Sequence, residues 1–214
     1  IAVPLVSAAI RLIGQPADDV IALRDQAVPF RMDEQGRSFF VHRQAVRTFV
    51  SSFRFSTIEG EATPWHPPLT RTRQLRALIN RIQEACFVTI AYLVGARVSE
   101  ILTLDVDCVE EHPSADRTEA FAYLRGRIFK TAANEAGTPH LWPAPPPVLR
   151  AIDVLRRLSE PLRARTGRSD LWLSIAGNGI IDRRVPEVPT GSSIVIRLNE
   201  RFAAFINMPR NDDG

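Results

Sequence analysis

From Thr70 the chain carries an apolar pattern too long and too continuous to belong to a surface element. Leu75, Leu78, Ile79, Ile82, Cys86, Ile90 and Leu93 recur at helical spacing and keep one face. From Ala85 to Val94 the residues are apolar almost all round, so this half of the helix is expected to run through the interior with other elements on every side. Gly95 is placed to end it. A second, short helix then holds Arg97 to Leu104.

The rest of the chain supplies material to surround that helix. Residues 2–28 read as two short helices: Val3, Leu5, Val6, Ile10 and Ile13 repeat at helical spacing, Gly14 to Pro16 breaks the pattern, and Asp18 to Val28 resumes it. Val28 to Val41 is ambiguous, with Asp33 to Gly36 able to turn a hairpin. Arg43 to Phe53 reads as a helix, and Ser56 to Pro68, with one Gly and three Pro, as a loop. The division that follows is an N-terminal helical region over 1–57, a linker over 58–68 and a larger unit over 69–214.

Within that unit Val106 to Val109 begins a small sheet, with Phe121 to Phe129 and Pro139 to Trp142 as its further strands and residues 131–137 as the loop between the last two. Pro145 to Pro147 opens another helix, with Leu149, Ile152, Leu155 and Leu158 as its apolar stripe. Leu171 to Leu173 reads as a short buried segment. Ser192 or Ser193 caps a final helix carrying Ile196, Phe202, Phe205 and Ile206. The fold class is thus mainly α with a small antiparallel β-sheet, an α+β arrangement.

Composition is ordinary for a globular chain: 45% hydrophobic and 24% charged residues over 214 positions, enough to bury a proper core. A formal charge of +3 is too small to indicate a nucleic-acid partner by itself. Cys86 and Cys108 form neither a zinc-type spacing nor a disulfide framework, so no metal or cofactor is expected and a reduced, cytoplasmic setting is the default. No uninterrupted apolar run reaches the roughly 18 residues of a membrane span. The chain starts at Ile1 without Met, which suggests that its N-terminus is not the native one.

The cations carry a sharper signal. Of 27 Lys and Arg residues only Lys130 is lysine, leaving 26 arginines. Arginine stays charged at any accessible pH, whereas lysine can give up a proton. A lone retained lysine therefore suggests a position where proton donation matters, with chance retention as the alternative.

About thirty residues before it, Leu93 to Val109 contains Gly95-Ala-Arg97-Val-Ser99-Glu100-Ile-Leu-Thr-Leu104. This segment resembles the first catalytic box of the tyrosine recombinase (phage integrase) family, Gly-x-Arg-x-Ser-Glu-hydrophobic-x-x-Leu, at every position. Phe121 to Pro143 looks like the β-hairpin that carries the family's lysine, and the likeness spans about residues 69–205. The resemblance implies a recombinase catalytic-domain fold, incomplete at its C-terminal side. It also implies site-specific DNA recombination or integration, with strand cleavage through a 3′-phosphotyrosyl intermediate and no metal.

In that chemistry Arg97 clamps two phosphate oxygens through its guanidinium fork. Glu100, three residues on, shares its helical face and fixes the cation. Lys130 protonates the departing 5′-oxygen. The implied partner is double-stranded DNA, with self-association on it and no membrane. A stripe of Arg71, Arg73, Arg76 and Arg81 along the long helix is placed to follow a phosphate backbone, and Arg125 and Arg127 on the hairpin stand near it.

The family's second box, His-x-x-Arg followed by the nucleophilic Tyr, is absent. No His has Arg three residues on, and the two tyrosines are Tyr92, in the apolar helix and read as buried, and Tyr123, inside the hairpin. The expectation is a fragment of a longer recombinase that cannot transfer strands by itself. The alternatives are a non-catalytic DNA-binding module of recombinase descent and a helical interaction protein with no DNA role.

Overall fold

The computed structural model describes residues 2–27, 43–114, 118–129, 137–173 and 187–207. The expected hairpin within 28–41 and the loop 131–137, apart from Gly137, lie outside them. The described elements are helices α1 (Ala2–Leu12), α2 (Gln15–Ala27), α3 (Arg43–Ser52), α4 (Thr72–Val94) and α5 (Val98–Leu102). Strands β1 (Val109–Pro113), β2 (Ala120–Ile128) and β3 (Thr138–Pro143) follow, then α6 (Pro146–Thr166) and α7 (Gly191–Arg197). A π-helical turn, Leu198–Phe202, carries α7 into the last turn α8 (Ala203–Phe205). Helices plus one small antiparallel sheet make this an α+β protein.

The long helix is central. α1 and α6 pack most extensively against α4, and α2 and α3 also touch it. Burial is complete from Arg81 to Ile90, then falls away from Ala91. The buried stretch thus starts four residues earlier than the apolar composition implies, and it includes Arg81, Gln83, Glu84 and Thr89. α4 is also long and apolar enough to cross a membrane by length and composition, but most of it is buried in the core of this fold.

On α1 the buried residues are Val6, Ala9 and Leu12, with Ile13 buried just after it, while Val3 and Ile10 face outward. Small Ala9, fully buried, lies on this face between Val6 and Leu12. The irregular segment after α3 is tied down by one carboxylate: buried Asp19 accepts from the Ser56 amide (2.6 Å), the Ser56 hydroxyl (2.8 Å) and Trp65 Nε1 (2.8 Å).

The sheet has strand order β1-β2-β3, with Glu110 opposite Tyr123 and Leu124 opposite Trp142. Leu124 and Trp142 form its buried face. Gly126 is required there: a Cβ would lie 2.7 Å from the Trp142 ring and 3.1 Å from the Leu104 side chain. That close approach brings β2 onto α5.

α6 begins at Pro146 as its proline run implies and ends at Gly167 in the left-handed region. It also contains Pro161, which has no N–H to give the Arg157 carbonyl one turn earlier. Buried Arg24 of α2 supplies the missing donor, its Nη1 lying 3.0 Å from Arg157 O and 2.7 Å from Leu158 O. A defect in one helix is thereby satisfied by a side chain of another. Arg24→Leu is expected to cost about 2–3 kcal/mol, the usual penalty for stranding a buried acceptor. Combining it with Pro161→Ala, which restores the intrahelical donor, returns part of that loss. Urea unfolding of the four proteins in the cycle measures the coupling; strictly additive effects would show that the two sites are independent.

Candidate functional site at the start of helix α5

The Gly95 to Glu100 segment builds its geometry from the end of α4. Gly95 adopts φ 71°, and its N–H closes α4 on Ala91 O at 3.1 Å. That left-handed turn suits glycine and lets the chain reverse within three residues into α5. Arg97 stands at the N-cap of α5 with extended backbone.

Glu100 turns back onto it. Its carboxylate accepts from the Arg97 amide (2.8 Å to Oε2) and from Arg97 Nη1 (3.1 Å to Oε1). The side chains differ sharply in exposure: Glu100 is 5% exposed and Arg97 49%. A buried anion therefore holds at Nη1 a guanidinium whose remaining N–H groups meet no acceptor among the described residues. The site can present two aligned donors and a fixed positive charge to an oxyanion. Ser99 is exposed beside it.

Helix α5 is held from beneath. Trp172, fully buried, donates from Nε1 to Ile101 O at 2.7 Å and packs edge-on against Phe87 of α4. Leu171 N bonds Leu104 O at 3.1 Å and Val106 N bonds Ser169 O at 2.8 Å, so the buried 171–173 segment read from the sequence clamps the far end of α5. The start of α7 adds a further contact, Gly191 lying close against Val98.

The other candidates separate. Lys130 lies outside the described residues; strand β2, which leads to it, packs on α5. Arg71 and Arg73 are exposed and Arg76 half-buried at the open end of α4. Arg125 is exposed but engaged, 2.5 Å from Glu110 Oε1 and bonded to Asp107 O. Arg127 donates to Gly137 O at 2.9 Å.

Three expectations are corrected. Arg81 does not extend a surface stripe: it is 6% exposed, because the π-helical turn packs on that part of α4, with Arg197 at the end of α7 reaching Glu84. Tyr92 is 53% exposed rather than buried, since enclosure of α4 ends at Ile90. α7 is capped by Thr190, whose hydroxyl accepts from Ser193 N, and Ile196 faces solvent.

Where the π-helical turn packs on α4, the sequence concealed a buried charge cluster. Arg81 Nη1 lies 2.5 Å from Glu84 Oε2 and Arg197 Nε 3.8 Å from Glu84 Oε1. None of these contacts has hydrogen-bond geometry, and both Glu84 oxygens, Arg81 Nη1, Arg197 Nε and Nη2, and Gln83 Oε1 are unsatisfied. Burial pushes the Glu84 carboxyl up to about 7 against the opposing pull of Arg81, Arg197 and Arg201. Burial likewise pushes Arg81 and Arg197 down. The available sequence signal was the Arg81/Glu84 pair three residues apart, just before the apolar second half of the helix. Both cysteines are buried, and burial raises both thiols, Cys108 to about 11, so they act as neutral packing groups.

No family model, curated protein or solved structure matches the chain.

The Glu84 carboxyl makes stability depend on pH in a defined direction. The unfolded group ionises near its ordinary 4.5 and the folded one near 7, so between these values the folded chain keeps a proton that the unfolded chain has released. Stability is expected to be highest below 4.5 and to decline as pH rises towards 7, by a total on the order of 3 kcal/mol at 1.36 kcal/mol per pH unit. Asp18 acts in a separate window. Burial raises its carboxyl, but hydrogen bonds from Arg150 and Arg157 outweigh this and hold it below 3.8, so its contribution is lost only at still lower pH. Chemical denaturation across this range should show the decline in the wild type and its absence in Glu84→Gln; equal profiles would refute the assignment.

Proposed function

We propose that this chain is the part of a tyrosine recombinase catalytic domain that holds the scissile phosphate of duplex DNA. The observation that carries the reading is the Arg97–Glu100 arrangement: a half-exposed guanidinium held at Nη1 by a buried carboxylate that also accepts from the Arg97 amide. It sits within a segment that matches the family's first box position for position. The packing of β2 on α5 adds support, since that strand leads to the lone lysine.

In the proposed chemistry a tyrosine oxygen attacks the phosphorus and forms a 3′-phosphotyrosyl bond. The bond from phosphorus to the 5′-oxygen breaks, and that oxygen takes a proton from Lys130. Arg97 stabilises the charge that builds on the non-bridging oxygens, where a positioned cation is worth most. Glu100 acts through Arg97: removing it leaves the fork free to swing, which weakens orientation more than charge. The nucleophile is assigned to neither Tyr92 nor Tyr123, so the 214-residue chain is expected to bind duplex DNA without cleaving it.

The test uses the complete reading frame that contains this segment, incubated with a nicked suicide duplex that traps the covalent adduct. Arg97→Ala is expected to lower trapping by about 100- to 1,000-fold, the usual loss for one preorganised charge-stabilising donor, while duplex affinity falls far less. Arg97→Lys should not rescue it, because a point charge does not reproduce the fork. Duplex binding without any adduct would favour a non-catalytic DNA-binding module instead. An adduct formed by the 214-residue chain alone would overturn the assignment of the nucleophile.

A further inference from the structure

The junction of α4 with α7 holds more positive charge than its packing needs. Arg73, Arg76, Arg81 and Glu84 fall within about 140° of arc on α4 at 3.6 residues per turn, so they share one face. Towards the C-terminal end of this face the π-helical turn packs on α4, and it and the end of α7 add Arg201 and Arg197. Arg201 raises the positive field at Arg81, Glu84 and Arg197, and Arg76 does so at Arg197. Among the described residues Glu84 is the one carboxylate whose charge bears on Arg81 and Arg197. Four guanidiniums (Arg76, Arg81, Arg197 and Arg201) thus stand against a single carboxylate, four charges less one.

The surface of this face is unoccupied by internal partners. Arg73 and Arg201 are exposed and Arg76 half-buried, and none of the three makes a side-chain ion pair or hydrogen bond among the described residues. Beneath them the Arg81 and Arg197 nitrogens left without acceptors show that Glu84 does not use up the positive charge. The cations form a ridge along a helix rather than a closed cup. Such a shape suits an extended polyanion better than one small oxyanion.

We infer that α4 and the α7 segment form a DNA-backbone ridge in which Arg76 and Arg201 contact phosphates and buried Glu84 sets the charge behind them. The inference rests on the nucleic-acid part of the function proposed above and is independent of strand cleavage. The groups facing Glu84 are Arg81 from its own helix, Arg197 from α7 and Arg201 from the π-helical turn. Their pull is outweighed by burial, which brings the carboxyl to about 7. Near neutrality a proton therefore exchanges on and off Glu84, and its arrival adds one positive charge to the ridge. Phosphates at Arg76 and Arg201 favour that protonated form, so DNA binding and proton uptake strengthen each other.

The experiment is fluorescence anisotropy of the 214-residue chain with a labelled duplex of about 30 base pairs, titrated with salt. Arg76→Ala and Arg201→Ala are each expected to reduce the slope of log affinity against log salt by about 0.9, with the effects adding in the double variant. Arg168→Ala, whose side chain is paired with Asp170 at 2.7 Å, should leave the slope unchanged. From roughly pH 8 to pH 6 the wild type should tighten about three- to tenfold more than Glu84→Gln, any histidine contribution cancelling in the comparison. Circular dichroism establishes that each variant is folded, and a variant that is not is replaced by Arg76→Gln or Arg201→Gln. Duplex binding with an undiminished slope in the double variant would overturn the ridge and leave the nucleic-acid reading standing. Identical pH dependence in Glu84→Gln would remove Glu84 from it. Competition by poly-glutamate as strong as by duplex at equal charge would make the face a polypeptide surface instead. Failure of the folded chain to bind duplex at low salt would sink both the ridge and the nucleic-acid reading, whereas the trapping assay addresses cleavage alone.

Discussion

Ten consecutive residues of α4, Arg81 to Ile90, are withdrawn from water on all sides, and the rest of the molecule is arranged around that fact. A helix enclosed in this way needs a partner on each face, and α1, α2, α3, α6 and the π-helical turn supply them. Burial of an apolar side chain is worth about 1.5–3 kcal/mol, so a single helix lined by Ile82, Phe87, Val88 and Ile90 anchors much of the hydrophobic stabilisation. The position of Arg97 follows from where this enclosure stops. Once Gly95 has closed the helix in the left-handed turn, Ala96 is all that separates it from the cap of α5.

Polar groups carried into the interior show how closely such a core is controlled. Asp19 gathers four donors, Trp172 finds the Ile101 carbonyl, and Arg24 covers the acceptor that Pro161 leaves open. Each is an internal solution to the rule that a buried polar atom without a partner costs about 1–3 kcal/mol. The Arg81–Glu84–Arg197 cluster departs from that rule, since its atoms are close but misaligned. Attraction without hydrogen bonds does not offset the desolvation of charge, and this is why burial shifts all three groups towards their neutral forms.

Much of the architecture was legible in the sequence because it depends on local signals. The periodicity of α4, the glycine that ends it, the proline run that opens α6 and the strands β2 and β3 act within a few residues of themselves. The Arg97–Glu100 pairing was legible for the same reason, as an i,i+3 contact on one turn. What escaped is set by distant chain. Nothing local to Arg81 announces that the π-helical turn will pack over its helix, and nothing local to Tyr92 announces that the covering ends two residues before it. Ile10 and Ile196 look like core residues by composition, yet they face outward because the packing surface is chosen by neighbours such as Ala9 and Ile194.

The two arginine–glutamate pairs make the same point in terms of chemistry. Arg81 with Glu84 and Arg97 with Glu100 have the same residue types, order and spacing, but Arg81 lies inside α4 whereas Arg97 is the extended N-cap of α5. In the second pair the carboxylate is buried and the guanidinium half-exposed, with two aligned hydrogen bonds; the charge is fixed and directed outward. In the first pair both partners are buried and neither is aligned, so the charge has no outlet and the carboxyl moves into the neutral range. Whether such a pair leaves its guanidinium open or shut away with its carboxylate is decided by what covers it. Over Glu84 that cover is the π-helical turn, with Arg197 at the end of α7, while at Arg97 the short reversal after Gly95 leaves the guanidinium open to solvent.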